Sequence, residues 1–127
     1  MKTLQQMNVF VVDDDPDTRD LLRFMLEEEG AIVTVATNAN EALSLLKNEF
    51  PTVLISDIAM PEMNGFQLIE LVRKLPQGAE LPAIALTAYA REEDRQQAIH
   101  SGFNAYLTKP VDPLELIRLV QRYCFSS

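Results

Sequence analysis

Five residues have the chemistry and the spacing to act together. Asp13 and Asp14 follow the apolar run Val9-Phe10-Val11-Val12, and Asp57 follows Val53-Leu54-Ile55-Ser56. Thr87 follows Ala83-Ile84-Ala85-Leu86, and Lys109 follows Ala105-Tyr106-Leu107-Thr108. Each run reads as a buried strand, and in an open parallel sheet ligands bind at the carboxyl ends of the strands. One sheet would gather three carboxylates, a hydroxyl and an ammonium in one cleft. Close carboxylates repel, and a hard cation relieves the repulsion. Mg²⁺ suits a few carboxylates, a carbonyl and waters. A carboxylate is also a nucleophile that yields an aspartyl-phosphate. The Thr87 hydroxyl would donate to a phosphoryl oxygen, and the Lys109 ammonium would act on it as a point charge. Positioning and electrostatics are most of what phosphoryl transfer asks of a protein.

Each residue also has a plainer role. Asp13 and Asp14 could be the acids of a helix N-terminus, which favour the dipole. Asp57 could be a turn residue, Thr87 a β-former and Lys109 a solvated loop lysine. Those roles do not explain why four apolar runs in one chain all end on reactive groups. An acid directly after a buried strand is costly unless it is paired or bound to metal.

The elements that must position these residues alternate along the chain. Strands are expected at about 7–12, 32–36, 52–56, 82–87 and 104–107. Helices are expected between them, the first opened by Asp15-Pro16-Asp17 and stopped at Gly30. The second starts at Asn38-Ala39-Asn40-Glu41, which has capping-box spacing. The third follows Asn64-Gly65, the fourth runs from Arg91 to about Ser101, and the last starts at Asp112-Pro113 and ends near Cys124. Strands alternating with helices imply right-handed βαβ units and a parallel sheet covered on both faces. The fourth helix offers little apolar surface beyond Ala98 and Ile99, so it should be the most mobile.

The 127 residues suit one domain, 1–127, with a core at about 7–124. The net charge of −8 argues against direct nucleic-acid binding and against an anionic membrane surface. No apolar run approaches a membrane span, and Met1 to Gln6 lacks the apolar stretch of a signal peptide. Cys124 is the single cysteine, so no internal disulfide forms and a reducing, cytoplasmic location is expected.

Four motifs in order carry a resemblance: Val-Val-Asp-Asp at 11–14, Ser-Asp-Ile-Ala-Met-Pro-Glu-Met-Asn-Gly at 56–65, Leu-Thr-Ala at 86–88 and Tyr-Leu-Thr-Lys-Pro at 106–110. The chain resembles the receiver domain of two-component response regulators over about 7–124. The resemblance implies a flavodoxin-like (CheY-like) α/β three-layer sandwich, with a five-stranded parallel sheet of order 2-1-3-4-5 and five helices. It implies that Asp57 accepts a phosphoryl group from a phosphohistidine on a histidine kinase or histidine phosphotransfer protein. Asp13, Asp14, Asp57 and the backbone carbonyl of Ala59 would hold Mg²⁺. Thr87 and Lys109 would bind the phosphoryl oxygens. Thr87 and Tyr106 would form a switch that reshapes the surface of helix four, strand five and helix five. Downstream partners would be an effector or a domain of a longer parent chain, with a homodimer among the assemblies. The domain would signal, promoting its own phosphorylation and dephosphorylation, rather than work as an enzyme. It could be a stand-alone regulator or a receiver of a hybrid histidine kinase, and the phrase at 83–95 tilts toward the second.

Some positions depart from the commonest family pattern. Asn64 stands where an acid is usual, which should affect turn capping more than chemistry. Ala59 offers no polar side chain, and Tyr89 lies two beyond Thr87; together they are expected to slow water attack on an acyl phosphate. Helix one carries Leu21, Leu22, Phe24, Met25 and Leu26, an arc wider than one core stripe, with Phe24 on its margin as a donor-docking residue. Helix five is apolar over a similarly broad arc. The lone His100 reads as a surface residue. Other classes fit less well: a constitutive binding module would not need all five reactive residues. A phosphatase of the haloacid-dehalogenase type would want a second acid where Ala59 stands. A flavin carrier would want a phosphate-cradling loop in place of the acids after the first strand.

Overall fold

The computed structural model describes residues 4–88 and 91–125. Five strands, β1 (Asn8–Val12), β2 (Ile32–Ala36), β3 (Val53–Asp57), β4 (Ala83–Thr87) and β5 (Ala105–Thr108), alternate with five helices. These are α1 (Pro16–Glu28), α2 (Ala39–Asn48), α3 (Gly65–Arg73), α4 (Glu92–Ser101) and α5 (Pro113–Phe125). All strand pairings are parallel, in the order β2-β1-β3-β4-β5. The expected order and element count hold, with ends shifted by a residue or so.

Two-residue periodicity divides the core. Val9, Val11, Ile55, Ile84 and Leu86 point to one side, where Leu22 and Leu26 of α1 and Leu116 and Val120 of α5 cover them. Phe10, Val12, Leu54, Ala83 and Ala85 point to the other, under α2, α3 and α4. Every residue of β3 and β4 is buried, as strands covered on both faces require.

Local signals set the helix starts. The Asp15 side chain accepts from the Asp17 N–H, with Pro16 in the first helical turn. Asn38 accepts from the Glu41 N–H, but the Glu41 carboxylate reaches the Thr37 N–H instead of closing the expected box. A full capping box forms at α3, where Asn64 and Gln67 exchange hydrogen bonds, each 2.9 Å. Asn64 thus acts on turn capping, as expected.

The helices differ in how firmly they are held. α1 buries Leu22, Met25 and Leu26. A fully buried side chain of that size contributes about 1.5–3 kcal/mol. α4 buries Ala98 alone, and its N-cap Arg91 makes no side-chain capping bond. Ile99, expected to share that packing, is 47% exposed, because its place on the helix turns it away from Ala98.

At the amino ends of the strands, Arg73 ties three segments together. Its guanidinium donates to the carbonyls of Gly78 (2.7 Å), Leu81 (2.6 Å) and Gly102 (2.6 and 3.0 Å), and to Asn104 Oδ1 (3.2 Å). Gly102 has φ +130° and lies against the Arg73 stem, so a glycine suits it on both counts. The Lys109–Pro110 peptide is cis.

Candidate functional site

The register of the sheet brings the reactive residues to one edge. Val12 of β1 pairs with Ser56 of β3, so the next residues, Asp13 and Asp57, are neighbours. Thr87 of β4 pairs with Thr108 of β5, and Lys109 follows directly, its N–H donating 2.7 Å to the Thr87 carbonyl. All five expected residues converge on this edge; Asp13, Asp57 and Thr87 are buried and Asp14 is exposed.

Asp13, Asp14 and Asp57 each offer a carboxylate oxygen, and these oxygens lie within 4.8 Å of one another. Lys109 Nζ sits 2.8 Å from Asp13 Oδ2 and 3.5 Å from Asp57 Oδ2. Asp13 Oδ1 accepts from the Asp15 N–H at 2.9 Å, and Asp57 Oδ1 accepts from the Ala59 N–H at 3.3 Å. Buried Asp13 Oδ2 faces the ammonium but accepts no well-directed hydrogen bond. One ammonium between two carboxylates, beside a third, leaves net negative charge in a largely buried pocket.

The electrostatics follow. Burial, then the nearby Asp13 charge, push the Asp57 carboxyl up to about 6, against the pull of Lys109. Burial alone would pull Lys109 down, but its close contact with Asp13 and the charges of Asp57 and Asp13 outweigh it and hold it above its usual value.

Backbone packing behind the site is tight. Gly65 donates from its N–H to the Ile58 carbonyl at 2.9 Å, and a Cβ on it would lie 2.5 Å from the Asp57 carbonyl oxygen. No side chain fits there, so glycine at the start of α3 lets the helix approach the strand that carries Asp57. Ser56 Oγ donates to the same Asp57 carbonyl at 3.0 Å.

Tyr106 is half-buried on β5 and packs on the α2–α4 side of the sheet. Burial, then the charge of Asp94, raise its pKa; hydrogen bonding with Thr87 and Thr108 works the other way. The two expected switch residues stand on adjacent strands, Thr87 pairing with Thr108 and Ala85 with Tyr106. Tyr89 lies outside the described residues. His100 is exposed, as expected. Cys124 is half-buried, and burial pushes its thiol up to about 11, in line with an apolar role.

Of the five apolar residues of α1, Leu22, Met25 and Leu26 are core, whereas Phe24 is 63% and Leu21 45% exposed. Sequence reasoning passed over Arg19, whose Nη1 donates 2.8 Å to the Asp13 carbonyl. The signal was faint: a cation near a helix start, where acids are the favoured charge.

Residues 9–121 match the family described as the response regulator receiver domain. An uncharacterized 14.6 kDa protein of Leptolyngbya boryana is 76% identical over 126 residues, covering 99% of this chain and 96% of that one. Response regulator Rre1 of Synechocystis is 36% identical over 118 residues, covering 92% of this chain; the chain spans about half, 51%, of Rre1. Among solved structures, chemotaxis protein CheY4 of Vibrio cholerae aligns with a TM-score of 0.89 at 31% identity, covering 93% of this chain and 98% of CheY4. The receiver domain of a Pseudomonas aeruginosa PAO1 sensor histidine kinase, solved with a magnesium ion coordinated in its active-site cleft, aligns with a TM-score of 0.89 at 29% identity, covering 95% of this chain and 99% of that one. The chain belongs to the response regulator receiver family, whose domains are phosphorylated on aspartate in two-component signalling.

Proposed function

We propose that Asp57 is the phosphoryl acceptor and that a phosphohistidine on a histidine kinase or phosphotransfer protein is the donor. The observation that carries this is the cluster of Asp13, Asp14 and Asp57 oxygens within 4.8 Å, with Lys109 between two of them. An Asp57 oxygen attacks phosphorus, the P–N bond to the imidazole breaks, and its electron pair leaves with the imidazole. Lys109 turns from the carboxylates to the phosphoryl oxygens, and the Thr87 hydroxyl donates to one of them. Water attack on the acyl phosphate later returns Asp57 and inorganic phosphate.

The residues fit a divalent cation. Asp13 Oδ2 is buried without a well-directed hydrogen bond, and hard carboxylate oxygens are the donors Mg²⁺ prefers. Asp13, Asp14, Asp57 and the Ala59 carbonyl would hold it. Bound there, the ion supplies charge neutralisation for carboxylate and phosphoryl oxygens alike. The magnesium in the cleft of the Pseudomonas receiver supports the assignment.

The output is a population shift. The Thr87–Tyr106 pair joins the site to β5, and α4, held by Ala98 alone among its buried residues, is the least anchored neighbour. Phosphorylation shifts the α4–β5–α5 surface toward an effector, a second copy or a domain of a longer chain. The unit is one receiver domain over 1–127, working in the cytoplasm without direct nucleic-acid contact. Among the described residues, no helix is long and apolar enough to cross a membrane.

The donor docks along α1. Exposed Phe24 and Leu114 line a groove of about 590 Å³ between α1 and α5, with Glu28 and Arg118 beside it. Phe24→Asp should lose transfer from the cognate donor while keeping labelling by acetyl phosphate; equal loss of both would count against docking there.

Intact-mass spectrometry after acetyl phosphate, with and without Mg²⁺, tests the chemistry. One phosphoryl adduct that needs both Mg²⁺ and Asp57, and that vanishes in Asp57→Asn, is the expected result. No adduct under rapid quenching, beside a receiver that labels, would overturn it.

A further inference from the structure

We infer that Arg19 is a positioning residue for the cation site: from α1 it fixes the main chain that carries Asp13 and Asp14. The inference rests on the metal reading above and concerns the residue that makes the site rigid enough to bind.

The carboxylates of the cluster are held unequally. Asp13 is fixed through its side chain, by the Asp15 N–H at 2.9 Å and Lys109 at 2.8 Å. Asp57 is fixed by β3 and by the Ala59 N–H. Asp14 is exposed, past the end of β1, and among the described residues no hydrogen bond or ion pair restrains its side chain. The aim of the Asp14 carboxylate is therefore set by the backbone between β1 and α1.

Besides the Asp15 N–H bond to Asp13 Oδ1, which spans Asp14, three bonds among the described residues hold that backbone. The Asp13 N–H donates to the Ala36 carbonyl at 3.2 Å, which fixes the near side. The Arg19 N–H donates to the Asp15 carbonyl at 3.1 Å within the first turn of α1. The Arg19 guanidinium then reaches back 2.8 Å to the Asp13 carbonyl and ties the helix to the last residue before Asp14. Arg19 is half-buried, so its stem is partly held as well.

Two effects of removing Arg19 oppose each other. Its charge lies near the acids, so losing it would strengthen cation binding by Coulomb's law. Losing the tether lets Asp14 wander, which weakens binding. The half-buried charge acts through high dielectric, whereas supports of a metal ligand typically matter by 10–100-fold. Positioning therefore wins, and the sign of the change separates the two.

The experiment is calorimetric titration of MgCl₂ into wild type, Arg19→Ala and Arg19→Lys, with thermal melts in EDTA alongside. Arg19→Ala should bind Mg²⁺ on the order of tenfold more weakly. Arg19→Lys, which still offers one donor to the carbonyl, should stay near wild type. Saturating Mg²⁺ should restore acetyl-phosphate labelling of Arg19→Ala to the wild-type rate, which a merely destabilised variant would not show. Equal or tighter binding by Arg19→Ala, or equal loss in both variants, would overturn the inference. If Arg19→Ala does not fold, Arg19→Met, which keeps the stem and offers no donor, takes its place, and unchanged affinity there overturns it equally. No Mg²⁺ binding by wild type would sink the metal reading itself, and this inference with it.

Discussion

The two ends of the parallel sheet treat buried charge in opposite ways. At the amino ends of the strands, the Arg73 guanidinium donates to three carbonyls and an amide oxygen drawn from the 78–81 and 102–104 segments. At the carboxyl ends, two acids share one ammonium beside a third acid, and a buried carboxylate oxygen faces that ammonium without a directed hydrogen bond. A satisfied charge is a fastener; an unsatisfied one is a vacancy for chemistry. Burial lowers the Arg73 pKa and raises that of Asp57, so both ends pay for desolvation, but one end alone is compensated by the protein itself.

Breaking the fastener should have the largest effect on stability. Arg73→Ala removes the guanidinium from the Leu81 and Gly102 carbonyls, leaves Gly78 with the Leu81 N–H alone, and should cost about 3–4 kcal/mol in urea unfolding. Arg73→Lys should recover little of it, because an ammonium lacks the planar fork. Neither should change acetyl-phosphate labelling of the folded fraction.

Breaking the open end should strike chemistry first. Lys109→Ala removes the cation 2.8 Å from Asp13 and 3.5 Å from Asp57. Labelling by acetyl phosphate should fall on the order of 100-fold on protein verified as folded by circular dichroism.

The smallest effect sharpens the contrast through pH. Burial and the neighbouring Asp13 charge push the Asp57 carboxyl up to about 6, against 3.8 for the ordinary group. The folded state holds this proton more tightly than the unfolded chain, so the group's favourable contribution is full below 3.8 and lost as pH rises through about 6. Asp57→Asn should therefore stabilise the metal-free protein by about 2 kcal/mol above that range, the gain fading as pH falls toward 4. A melting-temperature series in EDTA checks it, and a gain independent of pH would deny the strained acid.

The open end was far more legible in the sequence than the closed one. Asp13, Asp57, Thr87 and Lys109 each stand where an apolar run stops, and parallel pairing brings such stops together whatever the details of the loops. Phe24 was readable as marginal because it sits off the stripe defined by Leu22, Met25 and Leu26. Arg73 was silent: a cation in the last turn of a helix has an ordinary reason to be there, and its partners are backbone carbonyls that no side chain announces. Ile99 misled for a related reason. Its hydropathy says inward, but α4 turns only Ala98 to the core, and a helix with one small buried residue leaves its larger apolar side chain outside. Arg19 escaped notice because its partner, too, is main chain.

The order of the strands has a consequence for a chain still being made. β1 and β3 are neighbours, so Asp13 and Asp57 meet as soon as the third strand docks. Lys109 is synthesised 109 − 13 = 96 residues after Asp13. Until β5 closes the edge of the sheet, a nascent chain carries the two facing acids with no ammonium between them. That unfinished state is electrostatically the poorest the sheet passes through, and the last strand cures it in one step. On the proposed chemistry, a chain lacking β5 would pair Asp13 and Asp57 without the ammonium that lies 2.8 and 3.5 Å from them in the finished fold.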